Sequence, residues 1–307
     1  MNFALVVVGL ALAAFPGAFA SRSHRFPAQE WARVCALALT VGGACVGVGL
    51  VMTALPPLLH AVHLEGVVAI CDPVVHRLML GGPFVGWSAV VLIVLAVAVV
   101  AAAIRTSHLA LGRARIELWL GDHVFRGDYE LVILPTPELL AFGVPGDLPQ
   151  VVVSEGLVAD LGPNGLDAVV GHEVAHHRLG HRRYLVLTVL LDRTLGWLPL
   201  VRRSTDALRE SLEVWADDVA VASIAASREA LHDALVHVAS VEDHTWASQS
   251  RGVQNRADRL RGLWRCSPVS RRGLAYLPAG ALACCAAVLA AGWTLSSQHM
   301  LAVGGYC

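Results

Sequence analysis

"VVGHEVAHHRLGHRR", residues 169–183, gathers four histidines and a glutamate in a chain otherwise rich in Ala, Val and Leu. From Pro163 onward Leu166, Val169 and Val170 are spaced to line one helical face, and no breaker intervenes before His172. The spacing predicts a helix through the motif. His172, Glu173 and His176 spell H-E-x-x-H. On a helix the two histidines lie one turn apart on one side, so their imidazoles can reach a single metal ion, with Glu173 one step around. Two histidines are too few for a catalytic zinc, which takes three protein ligands and keeps a fourth position open. The bland alternative is a His-rich, solvated helix end in a chain that has 14 histidines.

The missing ligand has to come from another segment, and "RESLEVWADDVAV", some forty residues downstream, supplies a candidate. Glu213 and Asp217 stand at i and i+4, with Leu212, Trp215, Ala216, Val219 and Ala220 around them. Glu213 can point at the metal while Asp217 accepts a hydrogen bond from the far nitrogen of a ligating histidine and fixes its tautomer. A solvated acidic face that also includes Glu210 and Asp218 would explain the carboxylates, but not the small Ala216 beside them. His177 and His181 adjoin the motif without falling at i+4 on its ligand face, so solvated or supporting roles suit them better than ligation.

Composition supplies the setting. Apolar residues make up 56% of 307 positions and charged ones 15%, against about a quarter in soluble domains, which points to a membrane protein. Four segments have the length and apolarity of a transmembrane helix: 2–20, 34–59, 84–104 and 274–295. Ala18-Phe19-Ala20 imitates a signal-peptidase site, but no basic region precedes it and Arg22, Arg25 and Arg33 follow, as expected of a retained anchor. Those arginines, with Arg105, Arg113 and Arg115 after the third segment and Arg265, Arg271 and Arg272 before the fourth, place both termini outside and the polar region in the cytoplasm. The expected organisation is three N-terminal spans over 1–104, a cytoplasmic domain over 105–273, and a fourth span with a short tail over 274–307. Another apolar run, 185–201, is interrupted by Asp192-Arg193 and Pro199, and reads as a core helix or one resting on the membrane surface. Trp31, Trp87 and Trp293 fall near expected membrane borders, where indoles anchor.

Between the third span and the histidine motif, β-branched runs alternate with Pro and Gly, and residues 131–134 and Gln150–Ser154 are the best strand candidates. A substrate held by main-chain hydrogen bonds would lie along an edge near Ala141, Phe142 and Gly143, or along Gln150–Ser154.

These residues carry a resemblance. The chain resembles the membrane zinc metallopeptidases related to the β-lactam sensor-transducers, the M56 class, and more distantly the M48 membrane proteases. The shared features are "AFG" at 141–143, "VVVSEGL" at 151–157, H-E-x-x-H at 172–176 and Glu-x-x-Ala-Asp at 213–217. The resemblance implies one Zn2+ per chain on His172, His176 and Glu213, with Asp217 behind His172 and Glu173 as the catalytic base. It implies a multi-pass α-helical membrane protein with a mainly α, zincin-like (α+β) metallopeptidase domain in the cytoplasm. The implied activity is endopeptidase cleavage of a cytoplasmic protein in signal-responsive regulation, a DNA-binding transcriptional repressor being the candidate substrate. A quality-control membrane protease and a non-enzymatic transducer with a structural metal are the alternatives. The implied partners are a protein or peptide substrate and the lipid bilayer, with no direct nucleic-acid binding.

The chain departs from the pattern in two places. β-Lactam sensors continue into a penicillin-binding domain, whereas this chain ends about a dozen residues after its last expected span, too few to bury a core. Related M48 enzymes often carry a His-Pro shortly before a later Arg; here "NRADRL" holds Arg256 and Arg259 without it, which leaves Arg256 as the candidate support for the oxyanion or substrate. Two further features sit outside the membrane by this topology. His60, His63, Glu65, Cys71, Asp72 and His76 crowd one loop without a recognisable metal spacing, and Cys71 and Cys307 could pair or remain two free thiols.

Overall fold

The computed structural model describes residues 2–62, 82–119, 121–144, 148–223, 228–241 and 247–262. The fourth expected span, Cys71, Cys307 and most of the crowded loop around them lie outside the described residues. Chain order is α1 (Asn2–Phe19), a 3-10 turn (Ala20–Arg25), α2 (Ala28–Ala61) and α3 (Gly82–Leu118). Four strands follow, β1 (Asp122–Arg126), β2 (Tyr129–Leu134), β3 (Ala141–Val144) and β4 (Gln150–Ser154). The described chain continues with α4 (Glu155–Arg178), α5 (Arg182–Leu195), α6 (Pro199–Ser223), α7 (Arg228–Val241) and α8 (Ala247–Leu260).

Two of these helices are long and apolar enough to cross a bilayer, α2 and the Pro83–Thr106 part of α3, and α1 is a shorter apolar helix. Both exceed the expected spans. α2 starts at Ala28 and α3 carries on to Leu118 without a break, because Gln, Glu, Arg and Ala are good helix formers on either side of a membrane border. α1 and α2 cross at glycines: a Cβ on Gly9 would sit 2.6 Å from the carbonyl oxygen of Gly42, and one on Gly42 equally close to that of Gly9. Only hydrogen side chains permit that approach.

The helix that bears Glu213 packs directly on this bundle. Ala13 of α1, Trp31, Cys35 and Leu39 of α2, and Val201, Leu208, Leu212 and Trp215 of α6 form one buried cluster. The backbone N–H of Gly17 donates to Ser204 Oγ at 2.7 Å, and a Cβ at Gly17 would collide with the Leu200 carbonyl. Trp31 is therefore a core residue, 2% exposed and stacked on Phe26, and not a border anchor, whereas Trp87 is exposed.

The sheet has the order β1-β2-β4-β3, with β2 and β4 parallel at its centre and β1 and β3 antiparallel on its edges. Alternation decides its faces. Leu131, Val151 and Val153 pack on α4, while Val132 and Val152 turn to the opposite side against Leu118 of α3. The strands at 131–134 and Gln150–Ser154 fall where the sequence puts them. β1 is exposed along its whole length and offers no apolar pattern to read.

α4 begins eight residues earlier than its periodicity suggests. Ser154 caps it, its Oγ accepting from Leu157 N at 3.1 Å and also from Leu140 N at 3.0 Å. Gly162, at φ 63° and ψ 178°, then kinks the helix ahead of Pro163, so the regular apolar period starts only beyond it. The apolar run 185–201 is a helical hairpin, with α5 and α6 joined through Gly196-Trp197-Leu198 and Pro199 opening α6.

Candidate metal centre

α4 supplies both histidines of H-E-x-x-H near its C-terminal end, and α6 crosses it with Glu213 opposite. Nε2 of His172 and Nε2 of His176 lie 3.0 Å apart. Glu213 Oε2 is 3.3 Å from the first and Glu213 Oε1 is 3.4 Å from the second. Among the described residues this is the group of His, Cys, Asp and Glu side chains that could hold a metal ion. His172 is buried, and His176 and Glu213 are half-buried, so the three atoms converge on a recess open at one side.

Behind His172 stands Asp217. Its Oδ1 lies 2.9 Å from His172 Nδ1, a charge contact in which the ring N–H is not well aligned on the oxygen. Arg256, on α8, grips the same carboxylate with one edge of its guanidinium: Nε donates to Oδ2 and Nη2 to Oδ1, each at 2.8 Å. Its Nη1 donates to Glu213 Oε2 at 3.1 Å. Asn255 on Glu210 and Arg259 on Asp218 extend this polar seam between α8 and α6 on either side. Arg256 is thus engaged with the two carboxylates. Three of its N–H groups are committed there, so it holds Glu213 and Asp217 in place.

The charges in this cluster set one another. Burial disfavours an ionised Glu213 and Asp217, yet His172 and Arg256 outweigh it: Glu213 falls well below the usual carboxylate range and Asp217 to about 2. Burial likewise opposes charge on His172, but Asp217 and Glu213 raise it to about 9. The recess therefore favours positive charge at the His172 ring.

His181, which the sequence leaves among the supporting or solvated histidines, is fully buried, and its Nδ1 faces His176 Nδ1 at 3.1 Å. It also packs against Trp215 with ring centroids 5.0 Å apart. Each ligand-face histidine thus has a group behind its far nitrogen, Asp217 for His172 and His181 for His176. The signal that could have found His181 is its burial, which a sequence does not display. His177 is half-buried and abuts the β3 edge, where a Cβ on Gly143 would collide with its Nε2. Ala141 and Gly143 are half-buried and Phe142 is exposed, so β3 is the sheet edge beside α4. Glu173 is half-buried next to His172, and its charge is felt at both His177 and Arg256.

The donor set fits zinc. With His172 Nδ1 turned to Asp217 and His176 Nδ1 to His181, both Nε2 atoms are left beside Glu213, where the two rings, once deprotonated there, and the carboxylate would hold a cation between them. Ligands about 2.0–2.2 Å from a tetrahedral zinc stand about 3.3 Å apart, close to the separations seen here. No curated protein and no solved structure matches the chain. Residues 123–261 match the family model described as Peptidase family M48, the more distant of the two classes that the sequence resembles. The matched stretch runs from β1 to just past α8 and includes His172, His176, Glu213, Asp217 and Arg256, a similarity that supports a metallopeptidase of the M48 type.

Proposed function

We propose that the chain is a membrane-embedded zinc endopeptidase, akin to the M56 class, that cuts a cytoplasmic protein in signal-responsive regulation, a DNA-binding repressor being the candidate substrate. The observation that carries this reading is the convergence of His172 Nε2, His176 Nε2 and one carboxylate from a separate helix. His172, His176 and Glu213 would hold one zinc, which when bound supplies Lewis acidity that acidifies water and polarises a peptide carbonyl. Glu173 takes the proton from the attacking water on its carboxylate and passes it to the leaving amine. Asp217 and His181 orient the ligand rings, and Arg256 keeps Asp217 and Glu213 ionised and fixed. Extended substrate lies along β3 beside Ala141, Phe142 and Gly143, held through its main chain. In this reading 1–104 forms the membrane anchor, 105–273 the catalytic domain on the cytoplasmic side, and 274–307 a last span with an outer tail.

One observation favours a second reading, trimming of membrane proteins. Trp215, two residues from both Glu213 and Asp217, lies under the guanidinium of Arg33 at 5.8 Å, and no charged residue follows Arg33 in α2. The site therefore sits close to where α2 becomes wholly apolar. Comparative proteomics of cells expressing wild type or Glu173→Gln separates the readings. An intact soluble regulator accumulating in the variant supports the first, and accumulated membrane proteins support the second. Identical proteomes, with zinc still bound to both forms, would leave a structural metal in a transducer and remove the peptidase proposal.

A further inference from the structure

α5 is apolar on both sides. Thr188 and Leu191 are buried, and Tyr184, Leu187 and Leu195 pack inward with them against α2 and α6. The outward face carries Leu185, Val186, Val189 and Leu190, between 37% and 59% exposed, and Trp197 at the tip of the hairpin is 75% exposed. A helix at a protein–water boundary is polar on its outer face, whereas one that is apolar all round is buried or meets lipid.

We propose that this face of α5 and the Trp197 tip insert into the bilayer leaflet on the domain's side, with acyl chains against the apolar residues and anionic headgroups against the arginines around them. Continuity with the membrane helices identifies the occupant. Leu191 Cδ2 lies 3.3 Å from where a Cβ on Gly43 would stand, and Gly43 is ten residues beyond Arg33, about 15 Å along the axis of α2. α5 packs against α3 as well, and the start of α6 is bonded to α1 through Gly17 and Ser204. The exposed face thus continues the apolar surface of helices that are themselves long enough to cross a bilayer.

Charge supplies the second argument. Arg182 and Arg183 precede the face, and Arg193, Arg202 and Arg203 follow it. Asp192 is the single carboxylate within 182–203, and it is occupied by Arg209 and by Thr205, whose Oγ1 donates to it at 2.5 Å. None of the five arginines has an ion pair among the described residues. An apolar stripe ending in arginines, with a tryptophan beside it, is the composition of a helix lying in the interface. A second copy of the chain would set the same arginines against this cationic rim.

The test uses the full chain in vesicles of phosphatidylcholine and phosphatidylglycerol. The difference in emission between wild type and Trp197→Phe isolates Trp197 among eight tryptophans. That component is expected to be quenched by lipids brominated on the acyl chain near the headgroup and shielded from iodide. Quenching by iodide with no response to brominated lipid would overturn the insertion. A photo-reactive benzoylphenylalanine at Val189 gives an answer independent of the Trp197 variant: crosslinks to lipid support the proposal, and crosslinks to a second chain, to another protein or to nothing overturn it.

Discussion

Replacing Asp217 by asparagine removes a negative charge and almost no volume, so it isolates what that charge does. The side chain is 4% exposed, stands 2.9 Å from His172 Nδ1 and is gripped twice by Arg256 at 2.8 Å. Two losses follow. The His172 ring loses the partner that sets its orientation, which lowers zinc affinity about 10- to 100-fold. That range corresponds to about 1.4–2.7 kcal/mol. Separately, Arg256 keeps only Glu213, at 3.1 Å. Removing one member of a buried ion pair costs about 3–5 kcal/mol, and the surviving contact to Glu213 puts this case at the lower end, about 3 kcal/mol. Zinc competition against a fluorescent chelator reads the first loss, and thermal unfolding of the metal-stripped protein in detergent reads the second. The double variant Asp217→Asn/Arg256→Met separates them: it should regain stability, because no orphaned guanidinium is left, while zinc affinity stays low. Wild-type zinc affinity in Asp217→Asn, or a double variant no more stable than the single one, would refute the reasoning.

Further expectations concern the scaffold and the ligands. Gly17→Val should lower stability by about 1–3 kcal/mol, because its side chain enters the Leu200 carbonyl, whereas Gly47→Ala, where a Cβ meets nothing within 4 Å, should be neutral or stabilising; thermal unfolding compares the two. Ser154→Ala removes the acceptor of both Leu157 N and Leu140 N and should cost about 2 kcal/mol in the same assay. His181→Leu should weaken zinc binding about 10-fold or more, with His181→Gln restoring part of the loss, as measured by chelator competition. Glu213→Ala should reduce the zinc content of the purified protein, whereas Glu173→Gln should leave it unchanged, as elemental analysis would show.

The parts legible in the sequence are those written in local spacing. H-E-x-x-H declares its helix, Glu213 and Asp217 share a face one turn apart, and β2 and β4 are β-branched runs between turn residues. What was not legible depends on distant partners or on burial. Arg256 reads from the sequence as a candidate support for the oxyanion or substrate, and its grip on Asp217 and Glu213 emerges only when α8 lies along α6, some forty residues away in the chain. His181 reads as either solvated or supporting, and only its burial against Trp215 decides between the two. Trp31 sits where an interfacial anchor belongs, and only the packing of α6 turns it into core. The early start of α4 was hidden because its first turns end at Gly162, a backbone angle that apolar periodicity does not record. Apolar runs located α2 and α3 but not their ends, since a helix continues past the hydrophobic stretch wherever its flanks still favour it.

The seam between α8 and α6 also bears on how the protein is made. Glu213 and Asp217 are made before Arg256, the residue that balances their carboxylates, has been added. At about 5–20 residues per second, synthesis takes a few seconds to travel from residue 213 to residue 256. During that interval Asp217 has no guanidinium to offset its burial, and α6 has no α8 to settle against. A nascent chain thus carries the candidate metal ligands without the charge that fixes Glu213. The contacts of Arg256 to Glu213 and Asp217 can therefore form only once α8 has been made, so the order of residues along the chain sets when this cluster is complete.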